Sequence, residues 1–430
     1  MTNYDREYLK LLRKILEEGV EVENRTGINT IKIPEYNFSF DLSKEFPILQ
    51  SKQMFYRQAV IEMLWIWQMG CNDVRELQDR GVHIWDEWMV DEDGIYRIYE
   101  PTPDMEYLND KNPCTDHPFF NDYDDDEKER IMKEIEQKVQ TKIANKEYKW
   151  QQKEVEVIDP LSVPVDDPFG LRHDFKPKSD ENGKVMKAKS IKEGRIIKMA
   201  KYYGPEYAYT IGTAYGFITN RYQHARNLID TIKNNPTDRR MVKSLWQDEY
   251  LRTAVLPSCV WSTEWDVTDG KLNLFVHQRS CDVPLGLPFN VTQYATLLSM
   301  IAKTTGLKPG KINYSIKDAH IYVNQIEGIK EQIRREDRYN ELLKKNHDDL
   351  LKLKNCMKEK LETLDKDSDE FKKLDNDYRI IDLILEPTIP MLELSDEVED
   401  FFDYDNSKEI KHVKVRNYKH MGKITFPLAQ

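Results

Sequence analysis

Within residues 256–290, LPSCVWSTEWDVTDGKLNLFVHQRSCDVPLGLPFN, four side chains carry most of the chemistry that this sequence offers. Cys259 follows a Leu-Pro-Ser turn and supplies a nucleophile; Arg279 supplies a cation, Asp282 a carboxylate and Asn290 a carboxamide. A cysteine attacks carbon as the thiolate, which nearby guanidinium charge favours. Arginines also hold phosphate through paired N–H groups. A carboxamide presents one donor and one acceptor, enough to read the edge of a heterocycle. With a buried carboxylate at Glu62, these groups point to nucleophilic catalysis on a phosphorylated heterocycle.

Other candidates are scattered, and spacing alone leaves most of them open. Glu62 lies in a run that is apolar on nearly every side from Ala59 to Met69. Burying a lone carboxylate there is costly, so Glu62 either occupies a partner-facing edge or is an acid with a raised pKa. IWDEW at 84–88 sets Trp85 and Trp88 among acids, which suits the wall of a pocket for a flat ligand or ordinary core and surface. Arg25, in the turn 24–27, reads as solvated. Arg239 and Arg240 form an anion clamp or a solvated, ion-paired loop. His320 and Tyr322 fall two apart on an expected strand and share a face.

Periodicity outlines the elements that must position these groups. Residues 4–19 carry apolar side chains at Leu9, Leu12, Ile15 and Leu16 and stop at Gly19, an amphipathic helix with its terminal glycine. INTIKIPEYNFSFDL alternates as a strand, and the run through Glu62 is a buried helix. GTAYGF is expected to turn, RYQHARNLIDTIKNNP to be helical and DRRMVKSLW to start a strand. A single alternating strand follows Cys259, VTQYATLLSMIAKTTG forms a helix ending at Gly306, and KINYSIKDAHIYVNQ is a strand. Two spans differ in character. Residues 90–211 combine Asp124-Asp125-Asp126 with an i, i+4 stripe of Ile131, Ile135, Val139 and Ile143, then the proline-rich DPLSVPVDDPFGLRHDF. Residues 331–384 repeat Leu343, Leu350, Met357 and Leu364 every seven, with Leu353 and Leu361 on that face, which suits a coiled coil or a helical hairpin within one subunit. Both are read as excursions from a single catalytic domain spanning 1–430.

Composition bounds the partners. The chain has 430 residues, 33% of them charged, with a formal net charge of −12 and a mean hydropathy of −0.73. That balance argues against nucleic acid or a membrane surface as partner, while a small anion needs only a local arginine cluster. Five scattered cysteines, Cys71, Cys114, Cys259, Cys281 and Cys356, form no CxxC and no Cys/His pair at zinc spacing. A reduced, cytoplasmic protein without a bound metal is expected. The charged residues 1–13 are no signal peptide, and no apolar run approaches a membrane span.

Ten short motifs in order then carry a resemblance: RTG at 25–27, FPxxxxK ending at Lys52, IEMLWIW around Glu62, IWDEW at 84–88, YG at 215–216, DRR at 238–240, LPSC ending at Cys259, QRSCD at 278–282, LGLPFN ending at Asn290 and DAHIY at 318–322. The chain resembles the thymidylate synthase family outside its two excursions. This implies an α/β fold of the α+β kind, a mixed sheet with surrounding helices plus two helical or irregular insertions, and a homodimer packed sheet against sheet. Pattern alone gives only mixed α/β. The resemblance also implies the substrates, dUMP and 5,10-methylenetetrahydrofolate. Cys259 would add to C6 of the pyrimidine. Arg25, Arg279 and Ser280 would hold the phosphate, with Arg239 and Arg240 reaching it from the second subunit. Asn290 would pair with O4 and N3–H of uracil, and His320 and Tyr322 would bind the sugar hydroxyl. Glu62 would shuttle protons through water, Tyr215 would help to remove the C5 proton, and Lys52, Trp85, Asp282, Leu285, Gly286 and Phe289 would line the folate side.

Two departures bear on the product. The residue after the nucleophile is characteristically histidine in this family and is Val260 here; the aliphatic residue whose carboxylate closes the lid over folate is replaced by Gln430. Both touch the step at which the exocyclic methylene takes hydride or water. The first expectation is therefore water capture, giving 5-hydroxymethyl-dUMP, with a thymidylate synthase making dTMP and dihydrofolate as the alternative and an inactive scaffold as the remote one. Retained Trp85 and Trp88 weigh towards the synthase. The enlarged chain fits a viral relative, in host cytoplasm.

Overall fold

The computed structural model describes residues 1–24, 26–99, 130, 155–157, 197–366 and 368–428. Arg25, Gln430, the 124–126 acidic run, the 131–143 stripe and the proline-rich 159–175 segment lie outside them. Contacts divide the chain into two compact units, one built from Met1–Met63, Arg226–Ser244 and Cys259–Ala429, the other from Leu64–Ala225 and Leu245–Ser258.

The first unit is α+β. Its main sheet has five strands in the order Tyr36–Asp41, Lys308–Ile316, Lys271–Gln278, Val260–Thr268, Val242–Ser244, with one parallel pair, Lys308–Ile316 against Lys271–Gln278. Leu272, Leu274 and Val276 alternate into the core, under the helix Gly286–Thr304. The stretch after Cys259 is a hairpin rather than one strand. Thr268 pairs with Lys271 across Asp269-Gly270, both at positive φ (51° and 67°), the two-residue turn that matches strand twist. A second sheet orders Val20–Val22, Thr30–Ile33, Ala319–Tyr322, Cys281–Asp282. The expected strand through His320 is thus two strands in different sheets, interrupted at Lys317-Asp318.

Local sequence explains the helix ends. The helix Asn3–Glu18 is capped by Thr2, whose side chain accepts from the Asp5 N–H, and ends where Gly19 donates to the Ile15 carbonyl. A Cβ on Gly19 would crowd that oxygen, so the position takes only glycine. The helix Gly286–Thr304 begins five residues before the expected Val291, taking Pro288 into its first turn, where proline loses no helical hydrogen bond. That places Asn290 on a helix.

The 331–384 excursion is built from Ile326–Leu342, His347–Leu361 and Asp369–Leu385. Leu350 and Met357 pack with Tyr339, Leu342, Ile380, Ile381 and Met421, whereas Leu343 is 53% exposed. The heptad series is cut by the breaks between helices, and its buried members serve a helical hairpin within the chain. After the strand pair Met391–Leu394 and Val413–Arg416, the tail runs without regular structure to Leu428.

In the second unit, Ile95–Tyr99, Ile197–Tyr202 and Val155–Val157 form a three-stranded sheet. GTAYGF does not simply turn: a helix starts at Gly216 and runs to Arg221. Only glycine fits at that first position, because a Cβ on Gly216 would overlap the Cys71 carbonyl.

Candidate active site

The first unit gathers the expected nucleophile and its cation. Cys259 ends the loop into the strand Val260–Thr268, and Arg279 follows Lys271–Gln278, so the hairpin brings the two ends side by side. The Arg279 N–H donates to the Cys259 carbonyl at 2.8 Å, and Arg279 Nη2 lies 3.9 Å from Cys259 Sγ. Positive charge is therefore held where a thiolate would form. Cys281, two residues beyond Arg279, is no rival: it is buried, and burial pushes its thiol well above the ordinary range.

Asn290 is the centre of a hydrogen-bonded row. Tyr314 Oη donates to Gln278 Oε1 at 2.8 Å, and Gln278 Nε2 donates to Asn290 Oδ1 at 3.2 Å and to the Ser280 carbonyl at 3.1 Å. Asn290 Nδ2 donates to Gln293 Oε1 at 3.2 Å, and Gln293 Nε2 donates to the Glu62 carboxylate. Glu62 is thus buried with a partner from the helix Gly286–Thr304, which resolves the cost of placing it in the apolar helix Tyr56–Trp67. Each amide oxygen has a second lone pair and each amide nitrogen a second hydrogen, so Asn290 retains one donor and one acceptor for a ligand. Gly286 lies against it: a Cβ there would stand 3.7 Å from Asn290 Oδ1, an ordinary van der Waals contact.

Asp282 and Lys52 interact electrostatically in the same unit. Asp282 accepts from the Leu285 N–H at 3.2 Å and from Gln325 Nε2 at 3.0 Å. Burial raises its pKa against the pull of Gln325. Lys52 is buried, donates to the Pro284 carbonyl at 2.5 Å and lies 4.7 Å from the centre of the Phe426 ring. Loss of hydration brings its pKa down to about 7, with the Asp282 charge opposing. His320 and Tyr322 meet edge to face, ring centres 5.5 Å apart. His320 Nδ1 is 2.9 Å from Asp318. Burial disfavours the Asp318 carboxylate, yet His320 and Lys32 hold it below the usual range.

Arg239 and Arg240 stand apart from these groups on an exposed turn, where Asp238 takes Arg240 Nε and Nη2 at 2.9 Å each. Phe289 and Ser280 are partly exposed. In the second unit, Trp85 packs on Trp88, Tyr215 and Trp65, with ring centres 5.7, 5.5 and 6.4 Å apart. Tyr215 holds a positive φ of 44°, a conformation that a bulky residue keeps only where its surroundings enforce it.

Three glutamines escaped the sequence reading. Gln293 lies three residues after Asn290, the same-face spacing of a helix, but was hidden because the helix was expected to start only at Val291. Gln278 opens the QRSCD motif, and Gln325 follows Tyr322 by three. Among the described residues no group of His, Cys, Asp or Glu is arranged to hold a metal ion, and no helix is long and apolar enough to cross a membrane.

A profile described as thymidylate synthase matches residues 6–373. The chain is 34% identical over 341 residues to a thymidylate synthase of Clostridium beijerinckii, covering 79% of this chain and 86% of the relative. It is 32% identical over 441 aligned positions to one of Oenococcus oeni, covering both chains in full. The solved structure titled thermostable thymidylate synthase A from Bacillus subtilis aligns over all of both chains with a TM-score of 0.56 at 24% identity, a likeness of fold.

Proposed function

Since the chain belongs to the thymidylate synthase family, and is a transferase, we propose that it methylates C5 of dUMP with 5,10-methylenetetrahydrofolate, releasing dTMP and dihydrofolate. The observation that carries this reading is the row from Glu62 through Gln293 to Asn290, in the unit that also pairs Cys259 with Arg279. Cys259 Sγ bonds to C6, which makes C5 nucleophilic, and leaves again when the product is formed. Arg279 and Ser280, with Arg25, hold the phosphate. Asn290 offers its remaining acceptor to N3–H and its remaining donor to O4. His320 and Tyr322 take the sugar hydroxyl, and Glu62 passes protons towards O4 through water.

A reduced folate fits the residues on its proposed side: Asp282 offers an acceptor and Lys52 a donor, with Leu285, Gly286 and Phe289 following Asp282 in sequence. For Tyr215 and Trp85 the proposed roles are removal of the C5 proton and the folate side. Homodimerisation is part of the proposal. Trp261 and Phe275 are 39% and 40% exposed on the main sheet, beside a groove of about 380 Å³ lined by Phe38, Phe275 and Tyr314, which supports sheet-to-sheet pairing. The exposed Arg239-Arg240 turn suits donation to the second subunit's phosphate.

Val260 favours a second reading, water capture to give 5-hydroxymethyl-dUMP. Its side chain is only 1% exposed, within the sheet, so it presents no group to water at the nucleophile. With relatives named thymidylate synthase, the methyl product stands first. Release of tritium from C5-tritiated dUMP in the presence of the folate tests the shared chemistry: it should occur, and Cys259→Ala should abolish it. No release from the wild-type protein would sink both readings.

A further inference from the structure

We propose that Gln293 is a specificity-determining positioning residue: it fixes which way the Asn290 carboxamide faces, and so makes the site read a uracil edge and reject a cytosine edge. The inference rests on the dUMP reading above. Uracil presents N3–H as donor and O4 as acceptor; cytosine presents N3 as acceptor and N4–H2 as donor. One asparagine satisfies either base, because a half-turn of its amide exchanges oxygen and nitrogen. Discrimination therefore needs something that forbids the half-turn.

The row of side chains supplies it through a polarity that runs one way. Asn290 Nδ2 faces Gln293 Oε1 and Asn290 Oδ1 faces Gln278 Nε2. Turning Asn290 alone would set oxygen against oxygen on one side and nitrogen against nitrogen on the other. Gln293 is itself an amide and could turn too, but its Nε2 faces the Glu62 carboxylate. While ionised, that carboxylate accepts and cannot donate, so Gln293 then keeps its nitrogen towards Glu62 and its oxygen towards Asn290. On the other side the Ser280 carbonyl, also acceptor-only, fixes Gln278. Gln293 and Glu62 are buried, where a mismatched pair costs more than in water. Gln293 thus carries the fixed polarity of Glu62 to the base-reading amide without touching the base.

Equilibrium binding of dUMP and dCMP to the Gln293→Met protein tests this without requiring turnover. Methionine keeps the length and loses the relay. The dUMP:dCMP affinity ratio should fall about fivefold, the loss of one net hydrogen bond, mainly through weaker dUMP binding. Adding Gln278→Met should lower it further. A ratio within twofold of wild type, in a variant whose thermal midpoint shows that it is folded, overturns the proposal. Should Gln293→Met fail to fold, Gln293→Leu is read by the same ratio. If the wild-type protein neither binds dUMP nor releases C5 tritium, the functional reading itself has failed; if it does both and the ratio holds in the variant, only the role of Gln293 falls.

Discussion

Lys52 shows how one side chain ties the candidate site to stability. It is buried beside Asp282 with its Nζ on a backbone carbonyl, and desolvation outweighs the attraction, so its pKa falls from 10.5 to about 7. In that interval the unfolded chain binds a proton that the folded chain does not. Stability from this group therefore rises with pH through the window and is weakest below about pH 7. The unfolding free energy of the wild-type protein, relative to Lys52→Met, should move in favour of the wild type between pH 7 and pH 9 in denaturant titrations. A constant difference, or one moving the other way, would show that the folded lysine stays charged. Sequence could place Lys52 in the FPxxxxK motif, but not its neighbour Phe426, which lies hundreds of residues away and meets it only through the fold.

At the scale of elements, the helical excursion has a visible task. Asn376 donates to the Met421 carbonyl. Arg335 donates to the carbonyls of Gly422 and Lys423 at 3.0 and 3.2 Å, and Gln325 reaches both Asp282 and the Pro427 carbonyl. The helices therefore hold the tail that carries Phe426 on to Lys52. Asn376→Ala should speed amide exchange in residues 419–428 and raise the KM for folate about fivefold, the scale of one lost hydrogen bond, with the KM for dUMP unchanged. Unaltered exchange and KM would mean that the hairpin does not restrain the tail. The leucine heptads made this excursion recognisable as helical; its role was not readable, because the contacts join residues with no shared periodicity. The same limit explains the other differences. Asp269-Gly270 signalled a turn inside what looked like one strand. Pro288 hid the true start of the helix that carries Asn290, and with it the alignment of Gln293. By contrast, the amphipathic first helix, the buried helix through Glu62 and the candidacy of Cys259 and Arg279 as nucleophile and cation were legible, since each follows from local pattern or a contiguous motif; the hairpin that pairs the last two was not.

For the whole molecule, family membership rests on sequence matches that run through most or all of the chain and the α+β architecture on the likeness of fold, while the product depends on how the site treats the proposed one-carbon intermediate. Val260, where the family resemblance leads to an expected histidine, lies within the sheet, and the row proposed to read uracil is continuous from Glu62 to Tyr314. The most direct measurement incubates the protein with dUMP and 5,10-methylenetetrahydrofolate, weighs the nucleotide by mass spectrometry and follows dihydrofolate by absorbance. The expected product is dTMP, with one dihydrofolate per turnover. A product heavier than dTMP by one oxygen, with tetrahydrofolate in place of dihydrofolate, would contradict it and make the protein a dUMP hydroxymethylase.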